Sequence, residues 1–315
     1  SFDEELVAVG AGAGPDAPGA AQAAPEQGRG FGELMAQLDV WLQEESFSAF
    51  RRADVADVTL RYEDQRAGRN WTVDGGRAEL VRSGADLRLR GDFALLTGGA
   101  SAAGVELSFE RKGSASEAAL GLNLTDFPAQ DLATQAAALS WLEALRAPIS
   151  GALRFSMSET GALGPLSATL HIAEGVLQPN EAASPVPFTS ARTYLTYDPQ
   201  RQIVQFDEIA LQSAWVSLRA EGQLGLVMQQ DGWPEAFVGQ LRLADISANP
   251  TDMLPEPVAF DSGFVDMRLS LAPFKVELGQ LGLRDGATGF HVQGSIEALA
   301  AGWSYQIQAA AKALD

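Results

Sequence analysis

Apolar and polar residues alternate with period two through most of this chain, and no other feature limits its fold as strongly. In "ISGALRFSM", Ile149, Leu153, Phe155 and Met157 share one side, with Ser150, Arg154 and Ser156 on the other. Successive strand side chains point to opposite faces, so this pattern predicts a β-strand with one greasy side. "LSATLHI" repeats it, setting Leu166, Leu170 and Ile172 against Ser167, Thr169 and His171. The same frame holds Val105, Leu107 and Phe109; Leu120, Leu122 and Leu124; Leu218, Leu224 and Leu226; Val265, Met267, Leu269 and Leu271; Phe290, Val292 and Ile296; Tyr305 and Ile307. Roughly fifteen such strands fit antiparallel sheet, wet on one side. Turn signals such as "RDGATG" (284–289) join neighbours as hairpins.

Two stretches have helical spacing instead. Residues 31–45 carry Leu34, Leu38, Trp41 and Leu42, and residues 129–146 carry Leu132, Ala136, Leu139, Leu142 and Leu145 before Pro148. Both stripes read as packing faces. The opening "ELVAVGAGAGPDAPGA" matches dinucleotide-binding glycine spacing at Gly12, Gly14 and Ala17. The helix that should follow is interrupted by Pro18 and Pro25, and Gly19 weakens it further. Residues 10–30 therefore read as a linker.

Glycines mark a repeat. Gly91, Gly222 and Gly294 each follow a leucine by eleven residues (Leu80, Leu211, Leu283) and precede an apolar residue by two (Phe93, Leu224, Ile296). Gly151 shares the downstream half, with Leu153 and Phe155. The reading is a modular sheet extended by copied hairpin units. Too little helix is available to cover so many apolar faces, so those faces should meet one another. A closed sandwich and a long trough both satisfy that requirement.

The stretches "LEALRAPISGALRFSMSETGALGPLSATLHIAEGVLQP", "YLTYDPQRQIVQFDEIALQSAWVSLRAEGQLGL" and "LRLADISANPTDML" resemble the AsmA-like superfamily, most of all its YhdP-type members, relatives of TamB. The likeness covers roughly residues 55–315. It implies a mainly β fold: a long, curled, repetitive antiparallel sheet forming an apolar groove, with about two amphipathic helices. It also implies a periplasmic protein of Gram-negative bacteria, anchored in the inner membrane, that carries phospholipid or another acyl-chain lipid toward the outer membrane. The expected division is a linker with a helix (1–54), a first groove segment ending in a helix (55–147) and a second groove segment (148–315). Phe93, Leu95, Leu153, Phe155, Met157, Leu218, Leu224, Leu226, Phe290 and Ile296 are the expected groove lining. The first residue is Ser1, and no run of apolar residues is long enough to span a membrane. Any membrane anchor is therefore expected outside this chain, which reads as a fragment or a processed chain.

Catalytic chemistry finds little footing. His171 and His291 fall on polar strand faces with no metal-ligand spacing around them. Asp207 and Glu208 should point to opposite faces of one strand. No nucleophile elbow is present, and with no cysteine there is no disulfide or thiolate site. The net charge of −19 repels phosphate backbones and argues against nucleic acid as a partner. Trp141, Trp215, Trp233 and Trp303 suit core or edge packing, with the groove rim as alternative. "EAASPVPFTSA" (181–191) reads as a loop whose Phe188 could close over the groove. The expectation is a non-enzymatic lipid conduit without cofactor or metal. The alternative is a scaffold for outer-membrane assembly.

Overall fold

The computed structural model describes residues 50–64, 69–96, 102–113, 115–158, 162–229, 232–249 and 256–313. The expected linker at 10–30 and helix at 31–45 lie outside the described residues. The rest is mainly β, as the alternation predicts.

One antiparallel sheet of sixteen strands runs the length of the protein. Its first half holds β1 (Arg52–Asp64), β2 (Arg69–Ser83), β3 (Asp86–Leu96), β4 (Ala103–Arg111), β5 (Glu117–Pro128), β7 (Pro148–Ser158) and β8 (Leu163–Ile172). The second half holds β11 (Ser190–Asp198), β12 (Ile203–Gln212), β13 (Val216–Met228), β14 (Pro234–Ala248), β16 (Ser262–Leu271), β17 (Phe274–Asp285), β18 (Thr288–Leu299) and β19 (Gly302–Ala313), in that spatial order. The short β15 (Val258–Phe260) also pairs with β14. A separate three-stranded sheet is built from β6 (Leu145–Arg146), β9 (Gly175–Leu177) and β10 (Val186–Phe188). Neither sheet is strongly curled. β5 pairs directly with β7, so the main sheet continues through residue 147.

The expected helix at 129–146 is broken in two. An α-helix, α1, spans only Ala129–Ala133, and a 3-10 helix follows at Ala137–Ala144. Between them Ala136 is extended (φ −153°, ψ 140°), and the Thr134 hydroxyl donates back to the Asp131 carbonyl at 2.9 Å. The stripe itself is kept: Leu132, Ala136, Leu139 and Leu142 are buried, and Leu145 is half-buried. Packing against the sheet, rather than helix propensity, shapes this segment. The stretch expected as a loop at 181–191 contains β10. Pro187 is tolerated there because the strand is short and lies at the edge of the small sheet.

The repeated glycines have a structural meaning. At β5–β7, β12–β13 and β17–β18, two residues of one strand stand against one of the next. The single opposing residue (Ser150, Glu221, Gln293) immediately precedes Gly151, Gly222 or Gly294. Each repeat is a β-bulge backed by a glycine. Gly222 (φ 148°) and Gly294 (φ 143°) adopt backbone angles that L side chains rarely take, and a Cβ would collide with the Gln240 and Gln306 carbonyls respectively. Gly91 departs from the set. It has no left-handed φ, and the Phe93 ring packs over it, so its smallness serves a side chain and not a bulge.

Gly222→Ala and Gly294→Ala should each destabilise the fold by about 1–3 kcal/mol, as expected for backbone strain. Urea unfolding followed by circular dichroism measures this. Equal stability of both variants and the wild type would refute the bulge-glycine account.

Candidate functional site

The pairing registers carry one apolar surface across the main sheet. One row runs through Leu107, Leu122, Leu153, Ala168, Leu195 and Phe206, then Gly222, Leu241, Val265, Leu281 and Val292. The next row passes through Phe109, Leu120, Phe155, Leu166, Tyr197, Val204, Leu224, Met267 and Leu278 to Ile307 on β19. All ten residues expected to line a groove fall on this face. Phe93 pairs with Val105 and Leu95 with Ala103; Leu218 pairs with Leu211; Leu226 pairs with Phe237; Phe290 pairs with Leu283 and Ile296 with Val276.

They do not share one environment. Leu153, Leu224 and Leu226 are buried, whereas Phe93, Leu95, Phe155, Met157, Leu218, Phe290 and Ile296 are only half-buried. The difference comes from a roof that sequence reading did not foresee. α1, the 3-10 helix and the β6–β9–β10 sheet lie on the apolar face. Leu132, Leu139, Leu142 and Phe188 pack with Leu170, Leu195, Phe206 and Phe237 in one buried cluster. The Trp141 ring meets Phe206 edge-on at 6.4 Å. Phe188 therefore does sit over the apolar face, as a fixed part of the core. Main-chain bonds seal the near side, from Ala129 N to the Ala147 carbonyl (3.0 Å) and from Gln178 N to the Ala144 carbonyl (2.8 Å). On the far side, Trp303 Nε1 donates to the Ser184 carbonyl (2.7 Å) and Asn180 Nδ2 to the Ala298 carbonyl (3.2 Å). Each fully buried leucine of the roof contributes about 1.5–3 kcal/mol of apolar burial.

Beyond the roof the apolar face opens at its β18–β19 end. Tyr305 is 59% exposed and Ile307 49% exposed, next to half-buried Ile296 and Phe290. The Phe290 ring meets Phe260 edge-on at 5.5 Å. Among the described residues, β19 is the last strand of the sheet and no strand pairs with its outer edge.

On the wet face His171 and His291 are exposed. Asp207 and Glu208 depart from the expected opposite orientations. The bulge between Phe206 and Ile209 sets both against Glu221, off the apolar face. Glu208 accepts from Arg192 Nη2 at 2.6 Å, and this hydrogen bond holds its carboxyl below the usual range. Trp215 and Trp233 are half-buried. Two cavities lie on this face, of about 780 Å³ across β1–β7 and about 650 Å³ across β17–β19.

These features define a class: an extended antiparallel sheet with a wet face and an apolar face, the latter roofed in the middle and open toward one end. No family model, curated protein or solved structure matches the chain.

Two measurements test the roofed core. Leu170→Ala should cost about 2–5 kcal/mol, since the site is fully buried and closed on both sides. A loss below 1 kcal/mol in urea unfolding, roughly the cost of trimming an exposed site, would contradict the roof. Tyr197 is buried in the same cluster, and burial pushes its phenol above the ordinary 10.0, with the charge of Asp198 adding to the effect. A raised folded-state value means that full stability holds below the unfolded value and falls as pH rises past it. Tyr197→Phe should remove that part of the alkaline decline. Unfolding midpoints at pH 8 and about pH 11 should therefore draw closer together in the variant than in the wild type.

Proposed function

We propose that this chain binds the acyl chains of lipid on the open end of its apolar face and performs no catalysis. The observation that carries this reading is the continuity of that face. The row that forms the sealed core at Val204 and Leu224 runs on through Met267 and Leu278 to Ile307, which is half-exposed. A contiguous apolar surface left open on a folded chain marks a binding surface. Each acyl methylene laid against it gains about 0.8 kcal/mol, with no polar group required. Phe290 and Ile296 are the half-buried members at that end which acyl chains would touch first, and Phe93, Leu95, Phe155, Met157 and Leu218 are half-buried members of the same face on β3, β7 and β13. Leu153, Leu224 and Leu226 serve the core beneath the roof.

In the wider reading, the chain is one segment of an envelope-spanning carrier of phospholipid in the periplasm. Its membrane contact lies outside this chain, and the apolar face extends as a groove through further strands. The sequence resemblance to AsmA-like proteins and the bulge-glycine repeat, which suits extension by copying, support this. The runner-up is a scaffold in outer-membrane assembly, working by strand addition. β19 favours it. Its pairing with β18 is regular from end to end, and Lys312 is its only charged residue, so nothing blunts the free edge. β1 at the opposite edge carries Arg52, Asp54, Asp57, Arg61, Glu63 and Asp64, and two register breaks.

Native mass spectrometry of the gently purified chain decides between the two. The conduit reading expects bound phospholipid in the wild type and loss of most of it in Ile296→Glu/Ile307→Glu, with the fold intact by circular dichroism. Lipid-free wild type that captures β-strand peptides along β19 would favour the scaffold.

A further inference from the structure

The wet face holds its charges in two different ways. From β11 to β16 four of its arginines are matched across strands: Arg192 with Glu208 (2.6 Å), Arg219 with Asp245 (3.3 Å), Arg242 with Glu221 (3.4 Å) and Arg268 with Glu235 (3.1 Å). On β17 Lys275 pairs with Glu277 of its own strand (2.7 Å), and Arg284, among the described residues, stands alone at the strand's end. The cavity of about 780 Å³ across β1–β7 differs. There Arg52 is matched by Asp54 (2.8 Å) and Glu79 (2.9 Å). Among the described residues, Arg77, Arg90 and Arg154, which line the same cavity, have neither an ion pair nor a hydrogen bond.

The register explains why Arg90 and Arg154 stay unmatched. One wet-face row reads Glu79, Arg90, Ser108, Gly121, Arg154. Glu79 is already held by Arg52, and only a hydroxyl and a hydrogen atom separate the two arginines. At about 4.8 Å per strand, their backbones stand about 14 Å apart over a floor without bulk. Two long guanidinium side chains leaning inward close that gap around a single anion, and their planar forks suit phosphate oxygens. The next row, two residues along each strand, is the reverse. Asp92 and Glu106 are direct cross-strand partners, an arrangement that repels. Asn123 Nδ2 donates to Glu106 at 3.0 Å, and Arg77 stands opposite Asp92 without closing an ion pair. The cavity thus offers a cationic strip and, about 7 Å away along the strands, an anionic strip. A plain anion would gain from one and lose to the other. A zwitterion gains from both.

The surrounding charge agrees. Residues 51–112 hold 11 of the 22 lysines and arginines but only 10 of the 41 acids. This stretch is therefore close to neutral within a chain of net charge −19.

We propose that the cavity binds a phosphate–ammonium zwitterion of the phosphoethanolamine type, its phosphate between Arg90 and Arg154 and its ammonium between Asp92 and Glu106. The site lies on the face opposite the acyl-binding surface and stands independently of that reading. The group has two possible sources, a free phosphoethanolamine or the headgroup of a lipid.

Isothermal titration of the whole chain with phosphoethanolamine, inorganic phosphate and ethanolamine tests the proposal. Phosphoethanolamine should bind more tightly than either half alone. Arg90→Gln/Arg154→Gln should weaken it about tenfold or more, the loss of a charge-assisted pair. Asp92→Asn/Glu106→Gln should weaken phosphoethanolamine while strengthening inorganic phosphate. All four side chains are exposed, so the variants should melt as the wild type does, which circular dichroism checks. Co-flotation with vesicles of phosphatidylethanolamine in phosphatidylcholine, against phosphatidylcholine alone, separates the sources. Binding of the free compound alone assigns a soluble ligand. Binding to the phosphatidylethanolamine vesicles that the arginine variant abolishes assigns a headgroup. Inorganic phosphate binding as tightly as phosphoethanolamine overturns the proposal. So does affinity indifferent to the four substitutions, or no binding in either format. Ile296→Glu/Ile307→Glu should leave phosphoethanolamine titration unchanged, so failure of the acyl reading and failure of this one are read separately.

Discussion

Everything in this protein depends on keeping one face of a sixteen-stranded sheet apolar from strand to strand. Side chains alternate with period two, so a slip of one residue in any pairing would turn a whole strand's greasy side into water. The chain meets this constraint while still admitting extra residues. On β12 the apolar positions are Val204 and Phe206, then Ile209 and Leu211. The phase changes at Asp207–Glu208, where the bulge absorbs one residue and returns the next side chain to the same face. Leu124 to Phe127 on β5 and Leu278 to Leu281 on β17 repeat the device. Gly151, Gly222 and Gly294 stand next to the bulges and accept a close backbone approach from the strand on their other side, at the Thr169, Gln240 and Gln306 carbonyls. The repeat in the sequence is therefore a repeat of phase corrections, and it permits strands of this length to twist without losing the common face.

Such a sheet leaves more apolar surface than it can expose, and the protein covers the middle with its own chain. The segment between β5 and β7 and the segment between β8 and β11 leave the sheet plane and return to it. Between them they supply Leu132, Leu139, Leu142 and Phe188 to the main core. The sheet has no need to close on itself to bury Ile149, Leu170 and Val204, which are as buried as any residue in the chain. The roof divides one continuous face into a structural part and an open part. Its far attachments, Asn180 to Ala298 and Trp303 to Ser184, fix where that division falls.

The strands, their antiparallel order and the membership of the apolar face were legible because they depend on local alternation. Val265, Met267 and Leu269 declare their shared side without reference to anything distant. The glycine repeat was legible as spacing, but its cause was hidden in the phase jump at residues 207–208, which strict alternation misread as two opposed carboxylates. The roof was not legible in full. The stripe from Leu132 to Leu142 correctly announced burial, but α1 is only five residues long and the 3-10 helix owes its form to Phe206 and Phe237 beneath it. Three-residue strands such as β10 leave too short a pattern to read, and Pro187 argued against one. The arginine-lined cavity was invisible for a different reason: Arg90 and Arg154 are 64 residues apart in sequence and meet only through the register of β3, β4, β5 and β7.

The two faces obey different rules of recognition, and this gives the architecture its logic. Burial of methylenes is non-directional and scales with area, so an apolar face, on the lipid-binding proposal, would not choose among lipids that share the same tails. Selectivity has to come from directional groups, and those lie on the wet face. There, six arginines are matched by cross-strand acids. Arg90 and Arg154 differ in lining one cavity together, with only Ser108 and Gly121 between them in the register. Small residues between like charges are a costly choice for a surface that needs only solubility. They are the natural choice for one that holds its charges apart for something else to join.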